Sequence, residues 1–242
     1  MKLIKQSYEI LTPISEGGIE ELRKIELAAR TCYKSEDKIS PDGKSAQTLV
    51  KSLINRGHEA MLEHSQLSVK FITDRGTSHE IVRHRMASFA QESTRYCNYG
   101  KDKFGNELTF IFPDWLDVEY DNSYHVAWHE MMEIIEMSYL SMINHGVSPE
   151  KARDVLPNAL KTEIVVTANY REWRHIFNLR CAPAAHPQIR SLMTGLRDDL
   201  RQRIPIIFDC EDKNDVFSNI DSKSKTYKIP GNDLEYPIAI DI

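Results

Sequence analysis

Three cationic or potentially cationic side chains stand in a row at Arg83, His84 and Arg85. Burying an unpaired charge is prohibitively costly, so at least two of them must meet solvent or an anion. The residues that follow, MASFAQESTRY, supply hydroxyls at Ser88, Ser93 and Thr94, an amide at Gln91, a carboxylate at Glu92 and another guanidinium at Arg95. Hydroxyls, backbone N–H groups and a planar guanidinium fork are the groups with which proteins hold phosphate. The competing reading is a solvated basic helix end with ion pairs to Glu80 and Glu92. Ser93 also invites a nucleophile reading, but the sequence offers no third group to orient His84 as its base, so the hydroxyl is read as phosphate- or ribose-binding.

Two further constellations compete with this one. His58, Glu59, Glu63 and His64 could suggest a metal hydrolase, but a zinc helix needs histidines four apart, and these are six apart, about 240° around a helix. No metal site is expected. The arginines together with Tyr96, Tyr99 and Tyr170 could suggest an RNA-binding module, but the aromatics are not arranged as an RNP motif and the formal net charge is -5. Nucleic acid is therefore not an expected partner, and phosphate binding must come from local arginine clusters.

The elements that must position these residues can be read from periodicity. Lys2 to Ile14 reads as a first strand. Ile19, Leu22, Ile25, Ala28, Ala29 and Cys32 recur at helical spacing, as do Ala46, Leu49, Val50, Leu53 and Ile54 in a second helix from Ser45 to Arg56, with Gly57 as its left-handed cap. Gln66 to Thr73 alternates as a strand. Thr77 with Glu80 fits a capping box, and the helix it opens is expected to carry Arg83, His84 and Arg85 in its C-terminal part. A strand from Asn106 to Phe112 and a long helix from Ser123 to Asn144 follow. Ser148-Pro149 opens a short helix that contains Arg153 and stops at Pro157. Glu163 to Ala168 is β-branched and should be a central strand, leading into a helix from Tyr170 to Leu179, and Pro187 opens a last helix to Arg203.

Strands and helices interleave without the alternation of a doubly wound sheet, so the expected class is α+β, a mixed sheet with packed helices. No GxGxxG or GxxxxGK[ST] is present. The 242 residues, 41% hydrophobic and 28% charged, suit one catalytic domain over 1–208 followed by a tail or arm over 209–242. Apolar runs are too short for a membrane span, no secretory signal is visible, and the cytoplasm is the expected compartment. Cys32, Cys97, Cys181 and Cys210 form no CxxC pair and are read as reduced thiols.

Arg-His-Arg, seven residues, then Ser93, with Ser88 between and Ser-x-Arg-Tyr closing the run, resembles the signature of the flavin-dependent thymidylate synthases. NYREWRHIFNLR, from Asn169 to Arg180, is similar to that family's C-terminal flavin and substrate segment. ARDVLP, from Ala152 to Pro157, resembles its arginine-bearing helix, and HEAMLEH, from His58 to His64, the segment before its strand. The resemblance spans roughly residues 15 to 208.

The resemblance implies a flavin-dependent thymidylate synthase-like fold and the reductive methylation of dUMP to dTMP. Methylenetetrahydrofolate would give the carbon, and FAD reduced by NADPH the hydride. It implies a homotetramer with sites at subunit interfaces. Arg180 would be the catalytic residue and also touch substrate. Arg83, His84, Arg85, Asn169, Arg171, His175, His58 and Glu63 would line the flavin site, with Gln91 shared between cofactor and substrate. Glu80, Arg83, Gln91, Glu92, Ser93, Thr94, Arg95 and Arg153 would bind dUMP, the 91–95 segment cradling its 5′-phosphate. Glu80 stands where the family frequently carries glutamine, and a carboxylate there would repel phosphate unless Arg83 or His79 screened it.

Overall fold

A computed structural model describes residues 1–116, 123–209, 226–228 and 235–237. Its centre is a four-stranded sheet in the order β2 (Ser7–Ile10), β3 (Gln66–Asp74), β6 (Lys161–Asn169) and β4 (Ala87–Gln91), with every neighbour antiparallel. A separate parallel pair joins β1 (Lys2–Ile4) to β5 (Thr109–Ile111). Together with the helices this is the expected α+β class. β6 is central, as its β-branched run predicts.

Leu67, Val69 and Phe71 of β3 and Ile164, Val166 and Ala168 of β6 point to the same side and are buried. Over that face pack α1 (Ile19–Thr31), α2 (Lys44–Asn55), α6 (Tyr170–Arg180) and α7 (Pro187–Arg203), through side chains such as Leu22, Val50, Trp173 and Leu196. Trp173 Nε1 donates to the Leu67 carbonyl at 3.0 Å, which both satisfies a buried indole and fixes α6 against the sheet. A second cluster, with Leu108, Phe110, Met132, Tyr139 and Leu160, joins β5 to α4 (Ser123–Asn144) and α5 (Pro149–Ala152).

Several expectations need correction. The first strand is two strands in two sheets. It breaks at Lys5-Gln6, where the Gln6 amide donates to Asp114 (2.6 Å) and to the Gln188 carbonyl (2.8 Å). The strand expected from Asn106 is paired only from Thr109, since the Leu108 N–H turns to the Glu136 carboxylate at 2.7 Å. Thr77 does not cap the third helix. α3 (Arg75–Ile81) starts three residues earlier than that cap would set, and Asp74 caps it, accepting from Thr77 N at 2.6 Å and from the Thr77 hydroxyl at 2.9 Å. The helix therefore ends before Arg83, and 83–86 form a turn into β4, a strand the sequence reading missed. Arg153 follows α5 in a short 3-10 turn, Arg153–Val155, rather than lying within the helix. After α7 comes an unexpected short helix, α8 (Pro205–Phe208), whose Ile207 and Phe208 close the core.

Of the 209–242 segment, β7 (Thr226–Lys228) and β8 (Glu235–Pro237) pair antiparallel. Its remaining residues beyond Asp209, Cys210 among them, lie outside the described residues. Cys32, Cys97 and Cys181 are free thiols. No helix among the described residues is long and apolar enough to cross a membrane.

Candidate functional site

The register of β4 on β6 builds the site. Ala87 opens β4 opposite Ala168, one residue before the strand gives way to α6 at Asn169. The Arg83–Met86 turn is thereby laid against α6. Asn169 ends β6 and caps the helix, its side-chain oxygen accepting from Glu172 N at 2.8 Å.

Within this junction the three adjacent cations separate by chemistry. Arg83 and Arg85 are exposed and form no ion pair among the described residues, while His84 is buried with 5% exposure. Burial, together with the nearby charges of Arg180 and His175, lowers the His84 pKa to about 4, so the imidazole is neutral at pH 7. The requirement that two of the three face solvent is met, through a turn and not a helix.

Arg180, at the C-terminal end of α6, reaches back along its helix, as helical side chains do. Its Nε donates to His84 Nε2 at 2.9 Å, Nη1 to Glu80 Oε2 at 2.7 Å and Nη2 to the Glu80 carbonyl at 2.9 Å. Glu80 thus holds the guanidinium, and its charge is neutralised by Arg180 rather than by Arg83 or His79. A guanidinium has five N–H donors, and three are used here. Among the described residues, one N–H on each terminal nitrogen has no partner.

On the far side of His84, Nδ1 lies 3.6 Å from Glu172 Oε1, and the His175 ring stands edge-on at a centroid distance of 6.1 Å. Glu172 was not among the expected site residues, although it lies inside the NYREWRHIFNLR block. The signal was its spacing: Glu172, His175 and Leu179 fall on one helix face, opposite the buried Trp173, Ile176 and Phe177.

His84, Glu172 and His175 place three potential ligand atoms within 4.8 Å of one another, the geometry of a small metal site. The hydrogen bonding opposes that use. His84 Nε2 accepts from Arg180, so the neutral ring carries its proton on Nδ1 and has no lone pair left for a cation.

Beside this cluster opens a cavity of about 440 Å³ lined by Glu59, Glu63, Met86, Asn169, Arg171, Glu172, Arg174, His175 and Asn178. It gathers four expected flavin residues: Glu63, Asn169, Arg171 and His175. Glu63 and Arg171 pair at 2.6 Å on its rim. His58 is exposed just before the 3-10 turn Glu59–His64 and is not among the lining residues. A second cavity of about 520 Å³ is bordered by Glu80 together with Trp115, Trp128, Asn158 and Gln188. The run Glu172, His84, Arg180, Glu80 therefore links the two spaces.

The expected phosphate cradle is distributed differently. The Gln91 amide donates to Ser78 Oγ (2.8 Å) and Thr162 Oγ1 (3.2 Å). Glu92 is turned inward, accepting from the Tyr99 hydroxyl (2.9 Å) and Lys161 Nζ (3.0 Å), and burial beside that carboxylate raises the Tyr99 pKa. Ser93 Oγ accepts from Arg95 N at 3.3 Å, and Thr94 is buried. Arg95 points toward α5, 3.9 Å from Glu150, the element next to exposed Arg153. Among the described residues no hydrogen bond or ion pair joins this Arg95 group to the Arg180 group.

The chain is similar to known proteins over most of its length. Residues 19–206 match the family described as "Thymidylate synthase complementing protein". The flavin-dependent thymidylate synthase of Corynebacterium aurimucosum is 30% identical over 210 residues, 81% of this chain and 82% of that protein. The enzyme of the same name from Geobacter sulfurreducens is 33% identical over 192 residues, 76% of this chain and 79% of that one. In fold, the chain is similar to the crystal structure of the UMP/dUMP methylase PolB from Streptomyces cacaoi bound with 5-Br dUMP. The TM-score is 0.69 at 22% identity, covering 86% of this chain and 96% of that one. With a match that spans most of its length, this chain belongs to the flavin-dependent thymidylate synthase family.

Proposed function

We propose that the protein converts dUMP to dTMP, with methylenetetrahydrofolate as carbon donor and FAD, reduced by NADPH, as hydride source. The observation that carries this reading is Arg180, held on three sides by Glu80 and His84 and joined through His84 to Glu172, which lines a cavity bordered by Asn169, Arg171 and His175.

The donor set fits a flavin dinucleotide. Arg171 at the cavity rim and exposed Arg83 and Arg85 can take its phosphates, and Asn169 and His175 can serve its polar edges. The cavity has the size of one ring system and not of a whole dinucleotide, so the rest of the cofactor must lie along the arginine-bearing surface or against another subunit. When bound, FAD supplies the hydride chemistry of the reaction.

The protein's part is electrostatic. As C6 of the uracil accepted hydride, negative charge would develop toward N3–C4=O, and the two remaining donors of Arg180 would meet it. Neutral His84 serves this task better than a cation would, because it accepts from Arg180 without adding a repelling charge. Ser93 has no base in reach among its described contacts and is assigned to binding. Hydride at C6 makes C5 nucleophilic, so no protein nucleophile is required.

Arg95, Arg153 and the Ser93 hydroxyl are assigned to the nucleotide phosphate, contributed across a subunit boundary in a homotetramer. Two features support this: the Arg95 group stands apart from Arg180, and α4 exposes Val126, Met131, Ile134 and Met137, an apolar stripe that a monomer would leave in water. Residues 1–208 are read as the catalytic unit, working in the cytoplasm, where its thiols stay reduced. The test is product formation: enzyme supplied with FAD, NADPH, methylenetetrahydrofolate and dUMP should yield dTMP, and no dTMP above an enzyme-free control would refute the proposal.

A further inference from the structure

We propose that Glu172 is a positioning residue that sets the tautomer of His84 and, through it, the orientation of Arg180. This deepens the function proposed above and rests on it for its catalytic consequence, but its structural content stands alone.

The argument begins with donors and acceptors. Arg180 Nε can only donate, so His84 Nε2, 2.9 Å away, must offer a lone pair. The ring then carries its proton on Nδ1. That nitrogen faces the Glu172 carboxylate at 3.6 Å, an electrostatic contact that favours a proton there and disfavours a bare lone pair. Were the proton on Nε2 instead, two N–H groups would oppose each other across the Arg180 contact, while Nδ1 would turn a lone pair toward a carboxylate. Both contacts would become repulsive at once. A doubly protonated ring would satisfy Glu172 but still lose Arg180.

Groups facing His84 come from two directions: Glu172, His175 and Arg180 on α6, and Glu80 of α3 through its hold on Arg180. Among them Glu172 is the carboxylate that faces Nδ1. Its backbone N–H already serves the Asn169 cap, a task that any non-proline residue performs, so the helix does not call for a carboxylate at this position. Burial raises the Glu172 pKa and His175 opposes that rise, so a partly enclosed carboxyl is being kept where it meets an imidazole.

The consequence concerns which donors Arg180 shows to a ligand. With Nε tied to His84 and both terminal nitrogens tied to Glu80, the guanidinium plane is fixed and one N–H of each terminal nitrogen is presented. If Nε is released, the plane is free to turn about its bonds to Glu80, and the presented pair changes direction.

The experiment uses the full chain, ligand-free at pH 7, with histidine and arginine nitrogens followed by NMR. In wild type His84 should be protonated on Nδ1 alone, and the Arg180 Nε–H should be protected from exchange. Glu172→Gln keeps an acceptor and should retain both signatures. Glu172→Leu should give a mixed His84 tautomer and lose Arg180 Nε–H protection. Observing Nε2-protonated or doubly protonated His84 in wild type would overturn the proposal, as would unchanged signatures in Glu172→Leu. The wild-type measurement decides even if Glu172→Leu fails to fold. In turnover assays kcat should fall about tenfold or more in Glu172→Leu and stay within about threefold of wild type in Glu172→Gln, with KM for dUMP little changed in both. A wild type inactive on dUMP would remove the proposed reaction while leaving the nitrogen spectra to decide the role of Glu172.

Discussion

Arg180 and His84 are 96 residues apart in sequence and meet at 2.9 Å, guanidinium Nε to imidazole Nε2. This contact joins the two sequence blocks that carry the family resemblance and gives them a division of labour. The first block supplies a neutral acceptor and the exposed arginines on either side of it. The second supplies the charge that the acceptor orients.

Replacement of Arg180 by lysine keeps the charge and removes the fork. An ammonium cannot hold His84, Glu80 Oε2 and the Glu80 carbonyl in one plane while presenting two parallel donors. Turnover by Arg180→Lys should fall about 100-fold or more, the loss seen when a donor to a developing oxyanion is removed. Steady-state rates with saturating dUMP check this, and a variant within a few-fold of wild type would argue against the assignment.

His84 makes stability depend on pH in a stated direction. Its pKa is about 4 in the fold against 6.5 as a free side chain, so between these values the unfolded chain binds the extra proton. The stability that neutral His84 contributes is fully present above pH 6.5 and is lost as pH falls toward 4. From pH 7 to pH 5 this one group should cost about 2 kcal/mol. Urea denaturation at the two pH values, in wild type and His84→Gln, checks it: the variant should lose less stability over the interval by about that amount.

Glu92 should behave as a structural residue. Removing its carboxylate leaves Lys161 without one of its two acceptors and the buried Tyr99 hydroxyl without its partner. Glu92→Ala should destabilise the fold by about 2–3 kcal/mol, the cost of leaving buried polar groups unpaired. A lower urea midpoint with an unchanged slope is the expected result, and KM for dUMP in the folded fraction should move little.

The stripe on α4 predicts its own effect. A carboxylate at Ile134 or Met137, both more than half exposed, would have to be buried at an interface built on that stripe. Native mass spectrometry of Ile134→Asp should show a smaller species than wild type, with helical content unchanged by circular dichroism. Identical masses would place the interface elsewhere.

Much of the fold was legible because periodicity reports burial. The alternation of Leu67, Val69 and Phe71 and the helical spacing of Leu22 and Ile25 name the residues that pack in the core. The misses have local causes. β4 reads poorly because Ala87, Ser88 and Ala90 carry no β-branched side chain, and the strand exists through its pairing with β6. The cap of α3 was misplaced because two acceptors, Asp74 and Thr77, lie within reach, and Asp74 prevails by accepting from both the backbone and the hydroxyl of Thr77.

The site was legible as a set of residues and not as a set of contacts. Composition alone requires that two of Arg83, His84 and Arg85 face outward, but not which one turns in. Which of Glu80 and Glu92 would serve a ligand also depends on residues distant in sequence: Glu80 meets Arg180, and Glu92 meets Lys161. Pairings of that kind leave no local pattern.

The most direct test of the central claim is anaerobic reoxidation of the reduced flavin, followed at about 450 nm, where oxidised flavin absorbs. Wild-type enzyme should regain absorbance when dUMP and methylenetetrahydrofolate are supplied, and Arg180→Ala should do so far more slowly. A wild-type flavin that reoxidises no faster with dUMP and folate than without them would contradict the account.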